Sequence, residues 1–480
     1  MIAGLKPYPA MKDSGVPWLG EVPEHWQALP NRAVFDEVKE RDHPNADMLS
    51  VTITKGVIRQ KALLKGSSKK DSSNQDKSAY KLVRPGDIAY NKMRAWQGAV
   101  GVSEYEGIVS PAYVVQRPRE GISSRYLHYL LRTPSFAKEA ERWSYGITSD
   151  MWSLRPEHFK MIYSCLPPLP EQTAIVRFLD HADRRIRRYI RAKQKLIKLL
   201  EEQKQAIIHR AVTRGLDPNV RLKPSGVEWL GDVPEHWDVK RLHQITDPDR
   251  PVMYGIVLPG LNVDEGVYIV KGGNCEPGRL RPELLSRTTV EIESRYARSR
   301  LAADDIVFAI RGGVGAADLV PPELTGANVT QDAARIAAGT GVDARWLLHA
   351  VRAPVFREHV KSQVVGATVR GINIRSLKRI ELVLPPYEEQ KKIVGHIASS
   401  TSDISAALDR ARHEISLLRE YRTRLIADVV TGKLDVREPA ARLPEEVDGP
   451  EPLDEADGLP DDDEVREDAG LDAALEEVGA

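Results

Sequence analysis

The sequence contains one unit of about 215 residues twice, and this duplication limits the folds that the chain can adopt. The segment SGVPWLGEVPEHW at 14–26 returns as SGVEWLGDVPEHW at 225–237, with 11 of 13 positions identical. LPPLPEQTAIV at 166–176 returns as LPPYEEQKKIV at 384–394, with 7 of 11 positions identical. Because both matches occur in the same order, we expect two domains of one fold rather than a single large domain.

Each unit consists of a long variable stretch followed by a segment with a helical pattern. The variable stretches share a skeleton in which RPGDIAY at 84–90 parallels AADDIVF at 302–308. Both segments are apolar after a turn signal, which predicts a buried strand. The sequence thus predicts an α+β protein with two mixed α/β domains, related as a pseudo-two-fold internal repeat. The predicted segments are 1–165, 166–216, 217–383, 384–437 and an acidic tail at 438–480.

The two helical segments follow heptad patterns long enough for a coiled coil. After Pro170, mostly apolar residues from Ile175 to Ile207 recur at alternating steps of four and three. A similar series runs from Ile393 to Val429, with one irregular step at Leu408. Each helix should contain about 44 residues and measure about 65 Å. An apolar stripe of that length needs a partner, so we expect an antiparallel pair of long coiled-coil helices separating the two domains. Two amphipathic helices that pack on their own domains are the alternative.

A formal net charge of zero hides an uneven charge distribution. The segment 438–480 contains 17 acidic residues and 2 arginines, so the other 437 residues carry 67 Lys and Arg against 52 Asp and Glu. A body with a net charge of +15 attracts polyanions such as nucleic acid. The composition of the tail predicts disorder. The tail could screen the body against nonspecific DNA binding, or it could simply keep the chain soluble.

The first long helix carries a run of basic residues on its predicted outer face. This face could be solvated, could lie along DNA phosphates, or could bind an acidic partner. The residues are Arg184, Arg185, Arg187, Arg188, Arg191, Lys195 and Lys198.

No motif in the sequence predicts a catalytic, cofactor or metal site. Leu384 stands where the (D/N)PPY loop of amino-methyltransferases needs a polar residue, and RGGVG at 311–315 lacks the Lys-Ser/Thr of a phosphate loop. His25 and His236 lie in the duplicated PEHW segments, where we expect a packing or capping role. We therefore expect a chain without catalytic residues and without a bound metal.

The remaining composition indicates a soluble protein of a reducing cytoplasm. No stretch approaches the ~18 apolar residues of a membrane span, and MIAGLKPYPA lacks the apolar centre of a secretory signal. Cys165 and Cys275 are 110 residues apart and predict neither a disulfide framework nor a metal cluster.

These motifs resemble those of the specificity subunits of Type I restriction-modification systems. In that family, two variable target-recognition domains are each followed by a similar helical region that opens with an LPPLxEQ-like segment. The segment 166–172 matches it well, and 384–390 matches it with Tyr387 in place of leucine. GDIAYNKMRAWQGAVG at 86–101 also looks like one common subclass of first recognition domain. The resemblance covers about residues 14–437, although the second recognition domain departs more from the family pattern.

The resemblance implies a non-catalytic subunit that reads a bipartite site in double-stranded DNA, with one target-recognition domain per half-site. The subunit would assemble with two methyltransferase subunits and with two restriction subunits. S-adenosylmethionine, ATP and Mg are expected on those partner subunits, and no cofactor is expected on this chain. The alternative is a coiled-coil adaptor that binds proteins without reading DNA sequence.

Side chains that can bond to base edges or phosphates are the candidates for DNA contact. In the first domain the candidates are Lys69, Lys70, Asn74, Asn91, Lys92, Arg94, Gln97, Thr148 and Ser149. In the second domain they are Lys271, Asn274, Arg311, Thr330, Gln331, Thr368, Arg370, Asn373 and Arg375. The loops at 146–148 and 366–368 occupy matching positions in the two domains, so we expect them to face the same groove.

Overall fold

The computed structural model describes residues 5–64, 77–146, 152–364 and 371–444. The described chain forms two compact units. The first unit contains the described residues of 5–193 and 413–444, and the second contains those of 194–412. These units divide both long helices, each of which was expected to form a segment of its own. The boundaries of the five predicted segments stay a prediction.

The described residues of the first unit form short strands, six short α-helices and parts of both long helices. Its elements up to the first long helix are β1 Met11–Asp13, β2 Glu21–Pro23, β3 Gln27–Pro30, α1 Asn31–Val34, β4 Phe35–Val38, β5 Leu49–Thr52, β6 Gly56–Arg59, α2 Gln60–Leu64, β7 Lys81–Val83, β8 Ile88–Asn91, β9 Val100–Val102, β10 Gly107–Val109, β11 Tyr113–Pro118, α3 Ser124–Leu131, α4 Pro134–Arg142, α5 Pro156–Phe159, β12 Tyr163–Leu166 and α6 Leu169–Arg214.

The second unit repeats this plan with different loops. Its elements are β13 Leu222–Pro224, β14 Asp232–Pro234, β15 Asp238–Arg241, β16 Met253–Tyr254, β17 Val267–Val270, β18 Ser286–Thr288, α7 Val290–Ser294, β19 Ile306–Ala309, β20 Ala317–Leu319, β21 Asn328–Val329, β22 Ala333–Ile336, α8 Ala344–Arg352, α9 Pro354–Ser362, α10 Ile374–Arg379, β23 Glu381–Leu384 and α11 Tyr387–Val430. The chain then returns to the first unit with α12, Arg437–Ala441.

A four-stranded antiparallel sheet forms the centre of each unit, and its strand order is the same in both. The order is β4-β11-β8-β9 in the first unit and β16-β22-β19-β20 in the second. Val115 pairs with Val38 on one side and Ala89 on the other, and Arg335 pairs with Met253 and Val307 in the same way. The predicted buried strands at 84–90 and 302–308 are therefore β8 and β19, the third strand of each sheet. This equivalence confirms the two mixed α/β domains with an internal repeat.

Within the first unit, the two duplicated motifs bond to each other. Glu171, in the first turn of α6, is 7% exposed and accepts hydrogen bonds from Trp26 Nε1 at 3.0 Å and Tyr8 OH at 2.6 Å. His25 Nε2 lies 2.8 Å from the other oxygen of the same carboxylate. The PEHW segment is thereby fixed to the start of α6.

The second unit repeats this arrangement with one donor fewer among the described residues. Glu389, in the first turn of α11, accepts a hydrogen bond from Trp237 Nε1 at 3.0 Å and lies 2.9 Å from His236 Nε2. The glutamine that follows each glutamate also has a matching role. Gln172 accepts from the backbone N–H of Ser123 and Gln390 from that of Asp343, the residues that precede α3 and α8, both at 2.8 Å. In each unit, the duplicated motifs thus connect the shorter elements to the long helix.

The long helices α6 and α11 contain 46 and 44 residues and pack side by side in each unit. In the first unit Asp183 pairs with Arg422, and in the second Glu201 pairs with Arg412 at 2.8 Å and Lys204 donates to Ser405 at 2.8 Å. As the residue number rises along α6, the number of the contacted residue on α11 falls, so the two helices are antiparallel.

The predicted heptad series is buried more completely on α11 than on α6. On α11 the buried positions include Ile393, Ile397, Leu408 and Ile415. On α6 the expectation is wrong for part of the series, because Tyr189 is 55% exposed and Leu196 is 41% exposed.

Both cysteines are free thiols buried in the cores of their units. Among the described residues, no helix combines the length and apolar composition needed to cross a membrane.

Candidate nucleic-acid interface

In the first unit, the end of the central strand β8 carries four of the candidate residues. Asn91 is the last residue of β8, and its Oδ1 accepts a hydrogen bond from the backbone N–H of Met93 at 2.9 Å. Asn91 is 2% exposed and Arg94 is 9% exposed, whereas Lys92 is half-buried and Gln97 is exposed. Burial argues against direct base contact by Asn91, which shapes the turn that presents Lys92 and Gln97.

The chain beyond the predicted Gly-x-Thr loop of the first unit packs against this same turn. Trp152 contacts Trp96 edge to face, with ring centroids 5.6 Å apart. The backbone N–H of Leu154 donates to the carbonyl of Lys92 at 2.9 Å. The strand-end turn and residues 152–154 therefore form one surface. Sequence reasoning missed Trp152, although its position directly after a polar, glycine-containing segment could have suggested it.

The second unit builds the same surface with the same hydrogen bond. The backbone N–H of Ile372 donates to the carbonyl of Ile310 at 2.9 Å, and Arg311 forms a β-bridge with Gly371. Leu154 and Ile372 are 218 residues apart, as are Lys92 and Ile310. The surface is therefore the equivalent one by chain position as well as by geometry.

A turn at Lys271–Asn274 lies against Arg311 and adds a second basic side chain to this surface. A Cβ on Gly272 would come within 2.7 Å of the Arg311 carbonyl oxygen, so only glycine permits this approach. Lys271 is exposed and donates to Ser286 Oγ at 3.2 Å, while Asn274 Oδ1 accepts from the Lys271 backbone N–H at 2.9 Å. Asn274 thus stabilises the turn, and Lys271 and Arg311 are the exposed donors.

The other candidates of the second unit divide into buried and exposed side chains. Thr330 is 3% exposed and Gln331 is half-buried, and the Thr330 hydroxyl donates to the Val270 carbonyl at 3.4 Å. Asn373 is exposed, but its side chain caps α10 by accepting from the backbone N–H of Ser376 at 2.8 Å. Arg375 is exposed in the first turn of that helix. Arg375 is therefore the better placed of these four for contact with a ligand.

Seven candidates lie outside the described residues. They are Lys69, Lys70, Asn74, Thr148, Ser149, Thr368 and Arg370.

The acidic residues that precede the central strands are paired with arginines in both units. Asp87 accepts two hydrogen bonds from Arg117, one from Nε at 2.8 Å and one from Nη2 at 3.0 Å. Asp305 accepts from both terminal nitrogens of Arg250, at 2.8 and 2.6 Å. Both carboxylates are 2% exposed. They fix the start of β8 and β19.

A half-buried lysine that sequence reasoning missed lies next to the surface of the first unit, since its acceptor Tyr113 pairs with Asn91. Lys81 Nζ donates to the carbonyl of Tyr113 at 2.5 Å. Burial lowers the pKa of Lys81 to about 8, and the positive charges of Lys92 and Arg41 lower it in the same direction. These neighbouring charges make this part of the unit attractive to anions. Nothing in the sequence separates Lys81 from the lysines around it.

The basic run on α6 is less uniform than predicted. Arg187 is 8% exposed and pairs with Asp183 at 2.6 Å, so the prediction that it lies on the outer face is wrong. Arg185, Arg188 and Arg191 are exposed in the first unit. Lys195 and Lys198 are exposed in the second.

The exposed side chains at the ends of β8 and β19 can donate hydrogen bonds. Among residues 5–64, 77–146, 152–364 and 371–444, no group of His, Cys, Asp or Glu is arranged to hold a metal ion. Burial raises the pKa of the Cys165 thiol to about 12, which keeps it protonated and unreactive at neutral pH.

The chain is similar to Type I specificity subunits over most of its length. It is 22% identical over 383 residues to the Type I restriction enzyme EcoBI specificity subunit of Escherichia coli, covering 79% of this chain and 80% of that protein. It is 23% identical over 440 residues to the putative Type I restriction enzyme MjaX specificity subunit of Methanocaldococcus jannaschii, covering 87% and 96%. No protein-family model matches the chain.

A solved structure described as showing complex assembly and conformational transition of the Type I R-M system has the same fold. It superposes with a TM-score of 0.60 at 18% identity, covering 86% of this chain and 99% of that chain. These findings confirm the resemblance and the fold that the sequence predicted.

Proposed function

We propose that this chain, a relative of the Type I restriction enzyme specificity subunits, is the DNA-reading subunit of a Type I restriction-modification system. It contributes no catalytic residue. Each unit reads one half of a bipartite DNA target, and the long helices connect the two reading domains along the chain.

The observation that carries this proposal is that one surface is built twice with different side chains. The hydrogen bonds from Leu154 to Lys92 and from Ile372 to Ile310 fix the same backbone arrangement in both units. The exposed donors differ: the first surface presents Gln97, whereas the second presents Arg311. Two surfaces with one geometry and two sets of donors suit two half-sites of different sequence.

The exposed donors match the chemistry of base edges and phosphates. An arginine such as Arg311 can donate two hydrogen bonds to guanine O6 and N7, and a glutamine such as Gln97 can pair with adenine N6 and N7. Lys92 and Lys271 are suited to phosphates, which fix the register without reading sequence. We assign base reading to the first pair and positioning to the second.

The partner subunits belong to the same proposal. Two methyltransferase subunits carrying S-adenosylmethionine and two restriction subunits using ATP and Mg would assemble on this chain. The exposed apolar side chains on α6 support such an assembly, because Tyr189 in the first unit is 55% exposed and Leu199 in the second is 53% exposed.

The proposal is tested by expressing the full chain with its methyltransferase subunit in a host free of adenine methylation. Modified adenines are then mapped across the genome. A single split motif that disappears when this chain is omitted is the expected result. An unsplit motif would limit DNA reading to one unit, and a stable complex without any methylation would favour the protein-binding adaptor instead.

A further inference from the structure

The first unit contains a cationic cavity that the proposed base-reading surface does not use. Its volume is about 120 Å³, and its lining includes Lys55, His128, Arg132, Thr133, Arg187 and Arg422. One water needs roughly 10–15 Å³ by the same measure, so the cavity has room for several waters or for one tetrahedral oxyanion. Thr423, at its lining, is exposed and places the opening at the surface of α11.

Basic side chains outnumber acidic ones among the described residues that line this cavity. Asp183 pairs with both Arg187, at 2.6 Å, and Arg422, so one carboxylate faces two guanidinium groups. Arg132, which also lines the cavity, donates to the carbonyls of Val100 at 2.7 Å and Ile53 at 2.8 Å. Among the described residues, no Asp or Glu lines the cavity.

Arg187 has a buried donor that the protein leaves unused. The residue is 8% exposed, and its Nε is buried without a hydrogen-bond partner among the described residues. A buried charged group normally satisfies its donors, because an unpaired donor keeps the full cost of losing water. Because Arg187 lines the cavity, an anion bound there would face a guanidinium group that is already largely removed from water.

The imidazole of His128 and the N-terminal end of α4 border the same space. His128 Nδ1 accepts from the backbone N–H of Val102 at 3.2 Å, so the proton of the neutral ring is on Nε2. Burial and the surrounding arginines hold the pKa of His128 well below its ordinary value, so the ring stays neutral. Thr133 caps α4, a nine-residue helix whose positive N-terminal end begins at the cavity.

We propose that this cavity binds a phosphate-type oxyanion, either a phosphate of the DNA backbone or a free phosphate group. Binding of a DNA backbone phosphate rests on the proposed function, whereas binding of free phosphate does not. Arg132 also donates to the strand that follows the base-reading turn, through the Val100 carbonyl. A bound phosphate would therefore connect that strand to α4, α6 and α11 within the first unit.

The test compares Thr423→Glu with Thr423→Gln in the full-length chain. Both substitutions are made at an exposed helix position, so both should fold, but only glutamate places a carboxylate at the cavity. Thermal unfolding is measured with inorganic phosphate and with chloride at equal ionic strength. At ten times the dissociation constant, phosphate should raise the melting temperature by about 3 °C in the wild type and the glutamine variant. The glutamate variant should show no shift.

A second measurement identifies the source of the phosphate. The logarithm of duplex DNA affinity is plotted against the logarithm of salt concentration for both variants. Loss of one backbone phosphate should reduce the slope by about 0.9 in the glutamate variant alone. A thermal shift without a slope difference assigns the site to free phosphate. The proposal is overturned when the variants show neither difference, or when phosphate stabilises all three proteins equally. An intact split methylation motif in that case leaves the proposed function standing.

Discussion

Glu171 is the residue at which the duplicated segments of the first unit meet. It accepts from Trp26 and Tyr8, so Glu171→Ala leaves two buried donors unpaired and should cost about 3 kcal/mol of unfolding free energy. Glu389→Ala should cost about 1–2 kcal/mol, because that side chain is 26% exposed. Denaturant unfolding followed by tryptophan fluorescence measures both. Glu388→Ala, at a 75% exposed position, is the control, and equal losses for Glu171 and Glu389 would contradict this argument.

Asp183 gives the first unit a stability that depends on pH. Burial raises the pKa of Asp183, but Arg422 and Arg187 lower it more, so the carboxyl titrates below its ordinary range. A lowered folded pKa contributes stability at neutral pH that is lost as the pH falls through that pKa. Asp183→Asn should therefore cost about 3 kcal/mol at pH 7, and the difference from the wild type should narrow in acid. A difference that stays constant from pH 7 to pH 3 would show that the charge is not responsible.

Arg311 and Gln97 should affect different halves of the methylated motif. Arg311→Ala should relax one position in one half-site and cost about 1–3 kcal/mol of binding free energy. Gln97→Ala should relax a position in the other half. Methylation maps of the two variants measure this directly, with Lys138→Ala on the exposed side of α4 as control. If both substitutions relaxed positions in the same half-site, the assignment of one unit to each half-site would be wrong.

For the helices and strands, the sequence predicted those positions that follow from the duplicated segments and from the spacing of apolar residues. The duplicated LPP segments located the starts of α6 and α11, because proline suits the first helical turn. The matching strand segments located β8 and β19. The hydrogen-bond partners of individual side chains in these elements were not predictable. Asn91 bonds to its own turn, and the polarity that suits an asparagine for a turn also suits it for contact with a base.

The positions at which α6 is exposed were not predictable either, because they also depend on tertiary contacts. A heptad pattern states which side of a helix is apolar, but it does not state where along the helix a partner is present. Arg187 is buried because Asp183 and Arg422 are placed around it by tertiary structure. Spacing along one helix carries no information about a residue more than 200 positions away.

A substitution at Leu199 should weaken assembly with the partner subunit without changing the stability of the chain. The side chain is 53% exposed, so Leu199→Asp should change the unfolding free energy of the isolated chain by less than about 0.5 kcal/mol. If the exposed apolar side chains on α6 bind the methyltransferase subunit, the same change should weaken copurification at least tenfold. Gln203→Asp, at another exposed position of α6, supplies the matched control. Undiminished copurification of the leucine variant would place the partner elsewhere.

The whole molecule combines a basic body with an acidic segment in one neutral chain. The segment 445–480 contains 16 acidic residues and one arginine, and its removal leaves 68 basic against 53 acidic residues, a net charge of +15. A body of that charge should bind duplex DNA of any sequence more tightly than the full chain does. Binding that depends on counterion release weakens as salt rises.

Deletion of 445–480 should therefore lower the dissociation constant for a non-target duplex by roughly tenfold at 50 mM salt, with the difference shrinking at 300 mM as screening increases. Fluorescence anisotropy at the two salt concentrations measures this. A full-length variant with the 16 acidic residues changed to Asn and Gln should behave like the deletion, because charge rather than length is the cause. Unchanged affinity in both variants would mean that the segment only keeps the chain soluble. A gain in the deletion alone would mean that the segment blocks DNA by its bulk.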